Sequence, residues 1–176
     1  MSNPVLTWLA IFLSTGFYSS YVPALVLNCF SGRKSVDNLK EKKWTGAGLI
    51  GTLIGAVTYL WLPFKLVNSF CVLGIFGILA VFASQIAERH FQVKDDSRII
   101  IDEWVGSWIA FFGLPQVINW PFVLAFILFR LFDVWKGPLV RPLQRLPGGW
   151  GIVLDDVAAG LLAFFTVFLL RIAFFL

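Results

Sequence analysis

Three apolar runs of membrane-spanning length constrain this chain most. Crossing a bilayer as a helix takes about 20 consecutive apolar residues. Residues 44–62, 66–87 and 157–176 supply such runs. The last is interrupted only by Arg171, near its end, where a long side chain can snorkel to the interface. Residues 5–30 are also apolar but are softened by Ser14, Thr15, Gly16, Ser19, Ser20 and Pro23. They read either as one crossing or as a helix followed by a broken, re-entrant piece. Residues 99–114 and 122–135 are apolar, short and charged. Met1 to Pro4 carries no Lys or Arg, a poor n-region for a signal peptide, so the first apolar stretch is expected in the mature protein. No internal repeat or low-complexity linker divides the chain, and residues 1–176 are expected to form one polytopic membrane bundle.

Composition agrees. Of 176 residues, 59% are apolar and only 14% charged, against about 45–50% and 25% in soluble domains. The formal charge of +4 sits in connections, so it reads as membrane orientation, with no nucleic-acid partner. One basic connection holds Arg33, Lys34, Lys40, Lys42 and Lys43; a second holds Arg89, Lys94 and Arg98; a third holds Lys136, Arg141 and Arg145. The alternating connections, 63–65 and 115–121, hold only Lys65. Positive loops stay in the cytoplasm, which predicts a multi-pass membrane chain with these three connections on the cytoplasmic side. Trp44, Trp61, Trp120, Trp135 and Trp150 fall near segment ends, as an interfacial aromatic belt would. Two cysteines make no disulfide scaffold.

Five carboxylates stand in or beside these apolar segments. Asp102 and Glu103 lie in IIIDEWVGSW, Asp133 in FRLFDVWKGP with Arg130 and Lys136, and Asp155 and Asp156 in GGWGIVLDDVAAG. An ionisable group at membrane depth is costly, so it faces a protein interior or a wet cavity and marks function. Glu103 precedes Ile118 by as many residues as Asp133 follows it. An antiparallel helix pair turning at residues 115–121 therefore places the two at one depth. Asp155 and Asp156 begin the next segment from the same side. Arg130, Asp133 and Lys136, at i, i+3 and i+6, are expected on one broad helix face. Unneutralised, such carboxylates repel. A hard divalent cation relieves this, and Mg²⁺ favours one or two carboxylates, waters and substrate phosphate oxygens. The structural alternative is a set of ion pairs between helices, with an acid near a helix N-terminus meeting the macrodipole. Gly149 and Gly151, beside Trp150, would let backbone approach a phosphate.

The blocks DEWVGSWI (102–109), FRLFDVWKGPLVRPLQ (129–144) and GGWGIVLDDVAAG (148–160) resemble the phosphatidylglycerophosphatase A family in order and spacing. The N-terminal half matches less well. Thr15-Gly16-Phe17 begins a run like the family's TGFGSG, and a run resembling its continuation is displaced to Gly48, Gly51, Thr52 and Gly55, after an insertion carrying the first basic connection. The resemblance implies an all-α fold and a Mg²⁺-dependent phosphatase that converts phosphatidylglycerophosphate, a phospholipid substrate in the bilayer, to phosphatidylglycerol at the cytoplasmic face. On this reading Glu103, Asp133 and Asp156 are the metal ligands. Asp102 and Asp155 serve further ligation, support of the ligands or general-base work. Arg130 and Lys136, with Gly149 and Gly151, meet the phosphate.

Other phosphatase chemistries fit badly. Cys29 and Arg33 stand at C-x3-R, not the C-x5-R of a cysteine phosphatase loop, and lone His90 cannot supply two histidines. No DxDx[TV], DGxxAR or Walker block is present. The alternatives are a phosphatase of another lipid phosphate, a divalent-cation transporter using the same carboxylates, or an assembly subunit whose acids only pair helices.

Overall fold

Every regular element among the described residues is helical. The structure, a computed structural model, describes residues 4–22, 46–138 and 140–175. Seven α-helices appear there and no strand: α1 (Pro4–Ser14), α2 (Ala47–Trp61), a single-turn α3 (Phe64–Val67), α4 (Phe70–Phe91), α5 (Ile101–Phe111), α6 (Trp120–Trp135) and α7 (Gly149–Phe175).

Local chemistry sets the helix ends. Thr15 stops α1: its hydroxyl donates back to the Ile11 carbonyl at 2.8 Å and accepts from the Tyr18 amide at 3.2 Å. Gly16, Phe17 and Tyr18 then take left-handed backbone in succession. Only the first of these is conformationally free, so the turn carries strain at two bulky residues. Ser69 and Asn119 cap α4 and α6, accepting from Val72 and Phe122 amides. The apolar run 66–87 is consequently not one helix. It starts within α3, breaks at Asn68 and Ser69, and resumes at Phe70.

Helix α5 is the hub, packed against α2, α4, α6 and α7. Small residues allow the close approach. A Cβ on Gly160 of α7 would strike the Gly106 carbonyl of α5. One on Gly106 would lie 2.6 Å from Phe129 and 2.7 Å from the Asp156 carbonyl. Gly48, Gly51 and Gly55 form a stripe along α2 against Glu103, Ile100 and Ser107 of the α5 region. Between α2 and α5 the indoles are paired: Trp104 and Trp108 donate their N–H groups to Thr58 Oγ1 at 2.9 and 3.0 Å. Tyr59 donates to the Leu114 carbonyl at 2.8 Å, beneath a stacked Phe111–Phe122 pair with centroids 4.4 Å apart.

Helices α4 and α7 are long and apolar enough to cross a membrane, and less than a third of each such stretch is buried within the protein. Their outer faces carry Phe70, Ile75, Ile78, Leu79, Phe82, Phe165, Leu169 and Phe174, all more than half exposed. A water-soluble surface seldom presents so contiguous an apolar area. Trp61 and Trp120 mark one end of the bundle, and Trp135 and Trp150 the other, all four exposed.

Two sequence expectations need correction. Helix α7 begins at Gly149, not near residue 157, so Asp155 and Asp156 lie in its second turn and not at its start. The macrodipole argument for Asp155 therefore weakens, because that effect fades after the first turn. Lys136 does not continue the face of Arg130 and Asp133: it is the left-handed cap that ends α6, with φ 40°. Of the two readings of the first apolar stretch, a helix followed by a break agrees with α1 ending at Ser14. The rest of that stretch beyond residue 22, the inserted basic connection and Cys29 lie outside the described residues.

Candidate active site

The carboxylates of α5 and α7 meet where the two helices cross. Asp102 and Glu103 are in the first turn of α5. Asp156 approaches from α7 because Gly106 and Gly160 remove the side chains that would hold the helices apart. One oxygen each from Asp102, Glu103 and Asp156 lies within 4.8 Å of the others. Asp102 and Asp156 are buried, and Glu103 is partly so. Asp102 Oδ1, Glu103 Oε2 and Asp156 Oδ2 are buried without a hydrogen-bond partner. Leaving buried polar atoms bare is costly, and gathering carboxylates compounds the cost by repulsion. Three hard oxygen donors in this state fit a divalent cation.

Two ion pairs flank the group. Arg130 Nη1 donates to Asp133 Oδ2 at 2.7 Å and to Thr52 Oγ1 at 3.3 Å. Lys136 Nζ donates to Asp155 Oδ2 at 2.6 Å, and Gln144 Nε2 donates to the same oxygen at 3.1 Å. The other Asp155 oxygen accepts from the Asp156 amide at 3.1 Å. Burial would depress the Lys136 ammonium, but Asp155 and Asp156 outweigh it and hold its pKa above the ordinary lysine value. Lys136 is thus a fixed cation.

The carboxylates assigned from sequence do assemble. Asp133 acts electrostatically on both Glu103 and Asp156, consistent with its register about Ile118. The triad closest together nevertheless contains Asp102 where the sequence suggested Asp133. Asp133 turns an oxygen to Arg130, and Asp155 has both oxygens engaged. Gly149 and Gly151 are accounted for by packing: a Cβ on the first would strike the Val81 carbonyl, and one on the second the Leu146 carbonyl.

Sequence reasoning missed three contributors. Gly48 lets the Glu103 carboxylate occupy the place of a side chain, and a Cβ there would also lie 3.2 Å from Arg130 Nη1. Thr52, fully buried, holds Arg130 while donating to the Gly48 carbonyl at 3.0 Å. Asp95, in the α4–α5 connection, adds negative charge near Asp102, Asp155 and Lys136. The displaced glycine motif was the available signal for the first two: Gly16 and Gly51 both abut Ile100, so the separated halves of that motif meet again beside the site.

Comparison with known proteins gives this geometry a context. The family model described as phosphatidylglycerophosphatase A matches residues 8–171, nearly the whole chain. The chain belongs to the phosphatidylglycerophosphatase A family. Membership makes it a lipid phosphatase. A Bacteroides thetaiotaomicron protein provisionally named phosphatidylinositol-3-phosphatase is 32% identical over 131 residues, covering 72% of this chain and 82% of that protein. The phosphatidylglycerophosphatase A of Haemophilus influenzae is 33% identical over 129 residues, 72% of this chain and 77% of its own. That of Escherichia coli is 34% identical over 105 residues, 58% of this chain and 59% of its own. No solved structure matches. Because the phosphatidylglycerophosphatase A match begins at residue 8, it includes the divergent N-terminal half as well as the acidic blocks.

Proposed function

We propose that this chain is a Mg²⁺-dependent phosphatase that removes the terminal phosphate of phosphatidylglycerophosphate to give phosphatidylglycerol. It works as a multi-pass protein at the cytoplasmic face of a bacterial inner membrane. The observation that carries the reading is the trio of bare buried oxygens on Asp102, Glu103 and Asp156, flanked by the cations Arg130 and Lys136.

Asp102, Glu103 and Asp156 would hold the cation. Bound there, Mg²⁺ would neutralise charge on the phosphoryl group and favour deprotonation of an attacking water. Arg130, fixed by Asp133 and Thr52, presents a planar fork to two phosphate oxygens. Lys136 adds a second cation, anchored by Asp155. Water supplies the oxygen that bonds phosphorus, its proton passing to a carboxylate of the cluster. The P–O bond to the glycerol breaks, and that oxygen takes up a proton. The products are inorganic phosphate and the lipid alcohol.

Membrane placement supports the substrate class. Basic connections flank the carboxylates: Arg89 and Lys94 precede α5, and Arg141 and Arg145 precede α7. Retention of such loops inside, as the positive-inside rule expects, supports a site at the cytoplasmic headgroup layer. The acyl chains then stay in the bilayer while the phosphate reaches the helix ends. A cation path across the membrane fits less well, since Asp and Glu are absent from residues 104–132 and 157–176.

The Bacteroides relative makes phosphatidylinositol 3-phosphate the competing substrate. The test is phosphate release from purified chain in detergent with Mg²⁺, using each lipid separately. Faster turnover of phosphatidylglycerophosphate supports the proposal. Turnover of the inositol lipid alone, or of neither, overturns it.

A further inference from the structure

At the end of the bundle away from the carboxylates, α6 and α7 enclose an open cleft of about 600 Å³. Pro115, Asn119, Trp120, Pro121, Phe168 and Arg171 line it, with Ile172. Asp156 and Arg171 lie on one helix, fifteen residues apart. At about 1.5 Å rise per residue that is roughly 22 Å, most of a hydrocarbon core.

Arg171 makes no hydrogen bond or ion pair with any described residue. The reason lies in the sequence. Residues 42–87, 104–132 and 157–176 contain no Asp or Glu, so no described helix reaching this end offers a carboxylate side chain. A guanidinium cannot lose its proton in a protein. Half-buried beside Phe168 and Trp120, it lacks the full hydration that would stabilise an exposed arginine. Asn119 adds a polar group: its carbonyl oxygen caps α6 by accepting from Phe122, which leaves its amide N–H₂ to donate elsewhere. Among the described residues the cleft therefore offers donors for an anion and no carboxylate side chain to receive an ammonium. Its indole and phenyl walls suit the boundary where lipid headgroup meets acyl chain.

We propose that this cleft binds the headgroup of an anionic phospholipid in the leaflet facing away from the carboxylate cluster, with Arg171 holding its phosphate. The site is separate from the reacting centre and takes a phosphodiester lipid as a resident partner, not as substrate. Lipids bearing an ammonium are disfavoured, because the positive charge of Arg171 repels it and no described carboxylate lines the cleft. The proposal rests on the membrane reading. A chain that stays monodisperse without detergent would refute that reading before any lipid is added.

The experiment is native mass spectrometry of the full chain from detergent, titrated with phosphatidylmethanol or phosphatidylcholine. Phosphatidylmethanol is an anionic diester that is neither substrate nor product. The parent chain is expected to retain it about fivefold more tightly than phosphatidylcholine, the scale of one basic residue at a charged lipid surface. Arg171→Gln should lose the preference, Arg171→Lys should keep most of it, and Lys65→Gln should not change it. Equal retention of the two lipids by the parent chain overturns the proposal, and this comparison needs no variant to fold. A preference that survives Arg171→Gln also overturns it. Displacement of the lipid by millimolar inorganic phosphate would mark a free-anion site and overturn the headgroup assignment.

Discussion

Arg130 and Asp133, one helical turn apart on α6, are joined by a 2.7 Å ion pair that also reaches Thr52 of α2. The pair points the guanidinium toward Glu103, beside Gly48. It gives Asp133 the task of aiming a cation, whereas Asp102, Glu103 and Asp156 keep oxygens free.

That difference separates the acids experimentally. Asp133→Asn should lower kcat/KM by about 10- to 100-fold, as loss of a supporting partner typically does. Its Mg²⁺ half-saturation should stay near that of the parent. Glu103→Gln and Asp156→Asn should instead raise the Mg²⁺ requirement or abolish turnover. Titrating phosphate release with Mg²⁺ in each variant decides it, and a shifted half-saturation for Asp133→Asn would restore that residue as a ligand.

Metal binding should be visible without catalysis. Three bare carboxylate oxygens destabilise the folded chain, and a cation that binds them only when folded stabilises it. At a hundred times its dissociation constant the gain is about 2.7 kcal/mol. Thermal unfolding in detergent should therefore rise with Mg²⁺ after chelator treatment, and this rise should vanish in Asp102→Asn. An unchanged midpoint across millimolar Mg²⁺ in the parent would remove the metal from this site.

Gly48→Ala should damage the site through one methyl group. Its Cβ would collide with the Glu103 carboxylate, and overpacking of this kind costs about 1–3 kcal/mol. Gly77→Ala is the control, since nothing lies within 4 Å of a Cβ there, in the middle of α4. It should leave activity intact and raise stability by about 0.4–1 kcal/mol. Equal activities for the two variants would mean that Glu103 moves aside freely.

Lys136 sets a pH expectation. Its folded pKa lies above the ordinary 10.5. A cation raised in this way contributes stability that is complete below its unfolded pKa and is lost as pH rises through the folded value. Lys136→Met should therefore unfold at a lower temperature than the parent, by the same margin at pH 7 and pH 9. A margin that shrinks between those values would show that Lys136 already loses its proton there.

Topology can be read with two single cysteines in a chain lacking Cys29 and Cys71. Ile118, exposed at the α5–α6 turn, should react with an impermeant thiol reagent in intact cells when changed to cysteine. Lys94, in the α4–α5 connection, should react only after the membrane is opened. The reverse pattern would place the carboxylates on the outer face.

Apolar run length, the scarcity of charge and the acidic blocks were legible directly, because burial of apolar surface and the cost of ions in hydrocarbon act residue by residue. Glu103 and Asp133 could be brought to one depth from spacing alone, since a helical hairpin converts equal sequence distance into equal height. Where helices start could not be read the same way. Gly148 to Gly151 looks like a turn, yet Gly149 opens α7 because its missing side chain lets that helix press on the Val81 carbonyl. Which acids stay bare was also undecided by sequence. Five carboxylates compete for two nearby cations, and the winners are set by side-chain direction: Lys136 leaves the helix at a left-handed cap and reaches Asp155, while Arg130 stays on α6 and takes Asp133. Asp102, Glu103 and Asp156 are left together only because Gly106 and Gly160 bring α5 and α7 into backbone contact.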